Sequence, residues 1–143
     1  MKTVITLTIT FIFSAFSHSL LGSDKPEPVV FAKAEITAQH YIAAMQDGET
    51  EYLESLFAEN LRISTPDNKN QDHYGRSALI KHLKESHGVH LKAISNFTFV
   101  ENHKNYSVIQ IKTEFDHFTR LDYLTLQNGK NGWKISNIVV TYP

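Results

Sequence analysis

Hydrophobic positions along the chain follow a helical period in the first part and a period of two in the second. Over 33–46 apolar residues recur at helical spacing, with Ala34, Ala38, Tyr41, Ala44 and Met45 on one side. Asp47 and Gly48 end that run, the glycine suiting the left-handed conformation that follows a helix. A second helix is expected over 49–58, with Tyr52, Leu53, Leu56 and Phe57 as its buried stripe and glutamates at its amino end, where the dipole favours them. LRIST then reads as a short strand closed by Pro66, and PDNKNQD as a polar loop. A third helix is expected over 76–86, with Ala78, Leu79, Leu83 and His82 inward, ending at His87 and Gly88.

From His90 the period is two. LKAISNFTFV, YSVIQIKTEF, FTRLDYLTL and WKISNIVVTY are four strand-length runs joined by short polar connections, a pattern that predicts an antiparallel meander. Helices followed by consecutive strands predict an α+β domain, three helices packed on one face of a curved, mainly antiparallel sheet. In YSVIQIKTEFDH, the residues Ser107, Ile109, Ile111, Thr113, Phe115 and His117 form the more apolar face and are expected to face the core.

The first residues have a different character. Lys2 is followed by the apolar run TVITLTITFIFSAF and by small residues in FSHSLLGS, the pattern of a secretory leader over 1–22. LLGS resembles a bacterial lipoprotein signal in which Ser23 occupies the place of the lipidated cysteine. With no thiol to acylate, a free protein without a stable membrane anchor is expected, periplasmic or secreted, with the leader removed. Residues 23–32, containing two prolines, read as an extended linker, and 33–143 as one domain. At 143 residues the chain has room for a single core and a pocket.

Charge and composition narrow the chemistry. A net charge of −1 with no basic stripe gives no nucleic-acid footprint. The absence of cysteine removes disulfides, thiolate catalysis and thiolate metal sites. His82, His87 and His90 cluster in sequence, but the five-residue step from His82 to His87 does not set two ligands on one helix face, so no metal is expected. No cofactor is expected either.

Three stretches in order, YIAAMQDGETEYLESLFAENLRISTP, HYGRSALIKHL and LDYLTLQNGKNGWKISNIVV, resemble the nuclear transport factor two-like superfamily over nearly all of the mature chain. The nearest likeness is to its small bacterial lumazine-binding and SnoaL-like members, on the Asp-Tyr-Leu-x-Leu run and the Gly-Trp-Lys-Ile that follows it. The resemblance implies a cone of helices and curved sheet around an internal pocket. Comparison with the ketosteroid isomerases of the same superfamily sets Asp122 and Tyr41 on the acid and phenol of an oxyanion hole, where two donors would stabilise a developing negative charge. That comparison sets Thr65 where the isomerase carries its aspartate base, and a threonine cannot serve as a base near neutral pH.

Tyr41 and Asp122 are therefore the candidate catalytic pair, with a helix-to-sheet clamp as the competing role. His40, Thr65, His117, Arg120 and Trp133 are candidate ligand contacts, and Asp67 and His73 are further groups that can approach a cavity. Three functions fit: a pocket for a small apolar or carbonyl-bearing ligand, an isomerase-, dehydratase- or cyclase-like enzyme, and an interaction module that forms a homodimer through the open sheet face.

Overall fold

The computed structural model describes residues 28–66 and 74–143. The expected leader, the expected linker as far as residue 27, Asp67 and His73 lie outside the described residues. Helix α1 spans Ala34–Gln46 and buries Ala34, Thr37, Ala38, Tyr41 and Ala44, close to the expected stripe. Its small residues let the helix approach the sheet closely, and Tyr41 is the one large side chain it drives into the core. The chain leaves α1 at Gly48, whose φ of 67° needs a glycine. A Cβ there would also lie 2.7 Å from the Gly88 and Val89 backbone nitrogens.

The second helix is much shorter than the expected 49–58. Helix α2 is the single turn Leu53–Leu56, and strand β1, Phe57–Ser64, begins directly after it. Leu53 and Leu56 are buried as the helical stripe requires, but Phe57 is buried as the first residue of a strand that pairs in parallel with the last strand of the chain. That pairing is made with residues some eighty positions away, and it overrides the local helical period. After β1 comes the two-residue strand β2, Tyr74–Gly75, antiparallel to β1.

Helix α3, Arg76–Glu85, buries Ile80 and Leu83. Ala78 and His82, expected inward, are exposed, and Leu79 is half-buried. The face carrying these three turns toward a hollow and not into packed core. Arg76 fixes α3 in place: its guanidinium donates to the Phe57 carbonyl at 3.2 Å, to the Glu54 carbonyl at 2.8 Å and to the Glu54 carboxylate at 2.8 Å.

The remaining strands are β3 (Ile94–Asn102), β4 (Tyr106–Glu114), β5 (Thr119–Gly129) and β6 (Gly132–Thr141). They form the expected meander within a six-stranded sheet of order β2-β1-β6-β5-β4-β3. The register slips by one residue in β3 between Phe99 and Glu101, and opposite Thr125 and Leu126 in β6. Bulges of this kind bend strands and increase twist, and here they curl the sheet around the helices. The inner face of β4 carries Ser107, Ile109 and Ile111, all buried. β5 contributes Asp122, Leu124 and Leu126, and β6 contributes Ile135, Ile138 and Val140. The result is an α+β cone, with a core between the inner sheet face and the three helices.

Candidate functional site

The buried carboxyl group of Asp122 sits at one end of this core. On β5, Arg120, Asp122, Leu124 and Leu126 alternate onto the inner face, and Asp122 pairs across the sheet with Ile111 of β4 and Val140 of β6. Only 3% of Asp122 is exposed, so its carboxyl group must find partners within the protein. It finds two. Tyr41 reaches down from α1 and donates its hydroxyl to Oδ2 at 2.7 Å. Arg120, two residues away on the same strand face, donates Nε–H to Oδ1 at 2.7 Å.

Burial pushes the pKa of the Tyr41 phenol well above its ordinary value, and the adjacent Asp122 adds to the rise. Burial alone would weaken the charge on Arg120, but the neighbouring Tyr41 and Asp122 outweigh it and hold its pKa above the ordinary value. Phe57 packs edge-on against the Tyr41 ring at 6.5 Å and keeps it in place. The arrangement is thus a linear relay in which Tyr41 donates to Asp122 and Asp122 anchors Arg120.

This relay determines which groups remain available. A phenol has one hydrogen, and Tyr41 gives it to Asp122. Both Asp122 oxygens act as acceptors, so neither presents a donor to an incoming molecule, as the neutral acid of an oxyanion hole would. Arginine has five N–H groups. Here the Nε–H is given to Asp122, and the Tyr41 hydroxyl also lies beside the guanidinium.

Arg120 forms part of the wall of a cavity of about 400 Å³. Its other described lining residues are Met45 from α1, Ile63 from β1, and Ala78, Leu79 and His82 from α3. The exposed face of α3 therefore borders this cavity. A larger but more open hollow of about 460 Å³ lies beside α2 and α3, and its Arg76 and Lys84 are both bonded to Glu54.

The other candidate residues scatter. His40 points away from the relay and packs against Phe31 and Tyr52, with ring centroids 5.0 and 4.9 Å apart. Trp133 is buried at the start of β6, its backbone N–H bonded to the Phe31 carbonyl at 2.9 Å. It pairs with Asn128, at the far end of β5 from Arg120, about 25 Å away along the strand at 3.3 Å per residue. His117 is exposed in the β4–β5 turn, and Thr65 is half-buried just after β1. The structure brings Tyr41, Asp122 and Arg120 together and leaves His40 and Trp133 elsewhere. Met45, Ile63 and Ala78 were not anticipated as cavity residues; their apolar character fits core and cavity equally, and only the topology distinguishes the two. Among the described residues, no group of three or more His, Asp or Glu is placed to hold a metal ion.

The helices, the curled sheet and the cavity between them define the nuclear transport factor two-like cone. The model of the family described as "Putative lumazine-binding" matches residues 30–140, and the chain belongs to that family. No curated protein matches it. Among solved structures, an NTF2-like protein of unknown function from Silicibacter pomeroyi aligns with a TM-score of 0.64 at 16% identity, over 76% of this chain and 92% of that one. A ketosteroid isomerase-like protein from Erwinia carotovora atroseptica aligns with a TM-score of 0.57 at 10% identity, over 76% and 92% of the two chains. A structure from Thiobacillus denitrificans, described as a putative calcium/calmodulin-dependent protein kinase type II association domain, aligns at 0.58 and 11%, over 80% and 98%. At these identities the likeness is one of fold.

Proposed function

We propose that this chain is an exported small-molecule-binding protein whose cavity is closed at its polar end by the Tyr41–Asp122–Arg120 relay. The observation that carries the reading is the cavity of about 400 Å³ with apolar side chains on its wall and an anchored guanidinium among them. That size and that mixture of many apolar groups with a few fixed polar ones are typical of small-ligand sites. The apolar leader supports export, and the description of the family supports ligand binding.

Turnover is the weaker reading. The Tyr41 proton is committed to Asp122, and Thr65 stands where the isomerases carry a carboxylate base. A homodimer through the outer sheet face is the reading for assembly, since Val108, Leu121, Tyr123 and Val139 there are only half-buried in the single chain. Light scattering that shows a monomer at all concentrations removes the dimer without affecting the pocket.

Thermal unfolding across a broad panel of apolar compounds bearing carbonyl or carboxyl groups tests the binding reading. At a ligand concentration of one hundred times Kd, stabilisation of about 2.7 kcal/mol is expected, and Arg120→Met should reduce it. A panel that shifts nothing contradicts the reading. Recovery of the chain from the periplasm or medium, with a mass lacking about the first 22 residues, tests export.

A further inference from the structure

The sheet continues past Arg120 on the same face, and what it carries there bears on the ligand. Arg120 pairs with Thr113 on β4, and the β5–β6 register continues from Leu121–Thr141 to set it opposite Tyr142. One step further toward the β4–β5 turn, the Phe115 N–H donates to the Phe118 carbonyl at 2.9 Å, so these two residues also face each other across the ladder. By alternation, Phe115, Phe118 and Tyr142 lie on the inner face with Arg120 and Asp122.

The three rings lie together. Phe115 and Phe118 stack with centroids 4.4 Å apart and planes inclined by 15°, and Tyr142 lies 6.2 Å from Phe118. Buried aromatic rings would need no explanation, but Phe118 is 50% exposed and Tyr142 is 51% exposed. They form a partly exposed aromatic shelf on the strand face that carries Arg120. Along the strand, Phe118 lies about 6.6 Å from Arg120, the span of one to two fused rings.

The polar groups of the cavity are equally one-sided. Its described wall carries one permanent cation, Arg120, an imidazole, His82, that can donate or accept, and no carboxylate. Asp122 stands behind Arg120 with both oxygens engaged. The two Nη groups of an arginine form a planar fork that matches a carboxylate.

We infer that the site takes a flat aromatic acid, its carboxylate held by the Arg120 Nη groups and its ring laid against the Phe115–Phe118–Tyr142 shelf. The inference rests on the pocket-binding reading and adds the class of ligand. Two physical terms carry it, and they separate experimentally. The guanidinium distinguishes an acid from its amide, and the shelf distinguishes a flat ring from a saturated one.

The test is calorimetric titration of the full chain with 2-naphthoate, 2-naphthamide and decahydronaphthalene-2-carboxylate. The naphthoate should bind about tenfold more tightly than the amide, for the charge-assisted bonds, and about fivefold more tightly than the saturated acid, for the stacking. Arg120→Met should abolish the preference for acid over amide, and Phe118→Leu should abolish only the preference for flat over saturated. Because Arg120→Met strips Asp122 of one of its two partners and can impair folding, Arg120→Lys provides a second readout: it keeps the charge, loses the planar fork and should narrow the acid preference. Equal binding of the three compounds, or preferences that survive these substitutions, overturns the aromatic-acid assignment while leaving a pocket that binds. No binding by any of the three, together with a silent broad panel, overturns both.

Discussion

Asp122 concentrates the energetic tension of this chain. A carboxyl group with 3% exposure is costly to bury, and it is tolerated because Tyr41 and Arg120 occupy both of its oxygens at 2.7 Å. Asp122→Ala removes the shared acceptor and leaves a buried phenol and a largely buried guanidinium unpaired. Urea unfolding should show a loss of about 3 kcal/mol or more. Tyr41→Phe removes one bond to a charged acceptor and should cost about 1.5–3 kcal/mol. The same variant carries a pH signature. In the unfolded chain the phenol loses its proton near its ordinary value of 10.0, whereas folded Tyr41 keeps it to higher pH. Above that point the folded state binds more protons than the unfolded state, so stability falls as pH rises. The Tyr41 contribution is fully present below pH 10.0 and is lost on the alkaline side. Stability curves measured between about pH 9 and 11 should therefore fall more steeply for the natural chain than for Tyr41→Phe. Parallel curves would show that Tyr41 is not held protonated by the relay.

At the scale of elements, the ends of the helices and hairpins are fixed by a few backbone positions. Gly132 opens β6 with φ of 77°, and a Cβ there would lie 2.5 Å from the Phe31 carbonyl oxygen. That oxygen accepts the Trp133 N–H, and Phe31 bridges to Gly132, so the segment before α1 is attached to the sheet at this point. Gly132→Ala incurs about 1–2 kcal/mol for the left-handed conformation alone and must also displace Phe31. A fall in Tm of about 5 °C or more is expected, whereas the same substitution at Gly129, where a Cβ meets nothing within 4 Å, should change Tm far less. Equal effects would contradict this account of the Phe31 attachment. The elements also show where local sequence is insufficient. The meander was legible because alternation along 94–141 is regular and its connections are short. The boundary at Phe57 was not, because Tyr52, Leu53, Leu56 and Phe57 satisfy a helical period perfectly well, and the strand starting there exists by virtue of a parallel partner in β6.

For the molecule as a whole, the cone explains why the two ends of β5 have different roles. At one end Leu124 and Leu126 complete the core under α1, while at the other Arg120, backed by Asp122, meets the cavity bordered by α3. The sequence made the Tyr41–Asp122 pairing visible through resemblance, and the structure joins the two residues by a hydrogen bond. Arg120 appeared in the sequence only as one of several polar groups near a strand end, since spacing alone does not show which of its five donors a partner occupies. The helical period predicts Ala78, Leu79 and His82 inward, but Ala78 and His82 are exposed and border a hollow, with Leu79 half-buried. Hydrophobic periodicity marks an apolar face and is silent on whether that face meets side chains or an open hollow. His40 and Trp133 drew attention by residue type and by position, yet the fold gives both to packing around Phe31.

A crystal structure of the chain soaked with 2-naphthoate would test the central claim most directly. The account predicts carboxylate oxygens within hydrogen-bond distance of the Arg120 Nη groups, with Nε still on Asp122 and Tyr41 still behind it. A ligand bound elsewhere, or Arg120 swung into solvent with Asp122 left to Tyr41 alone, would contradict it.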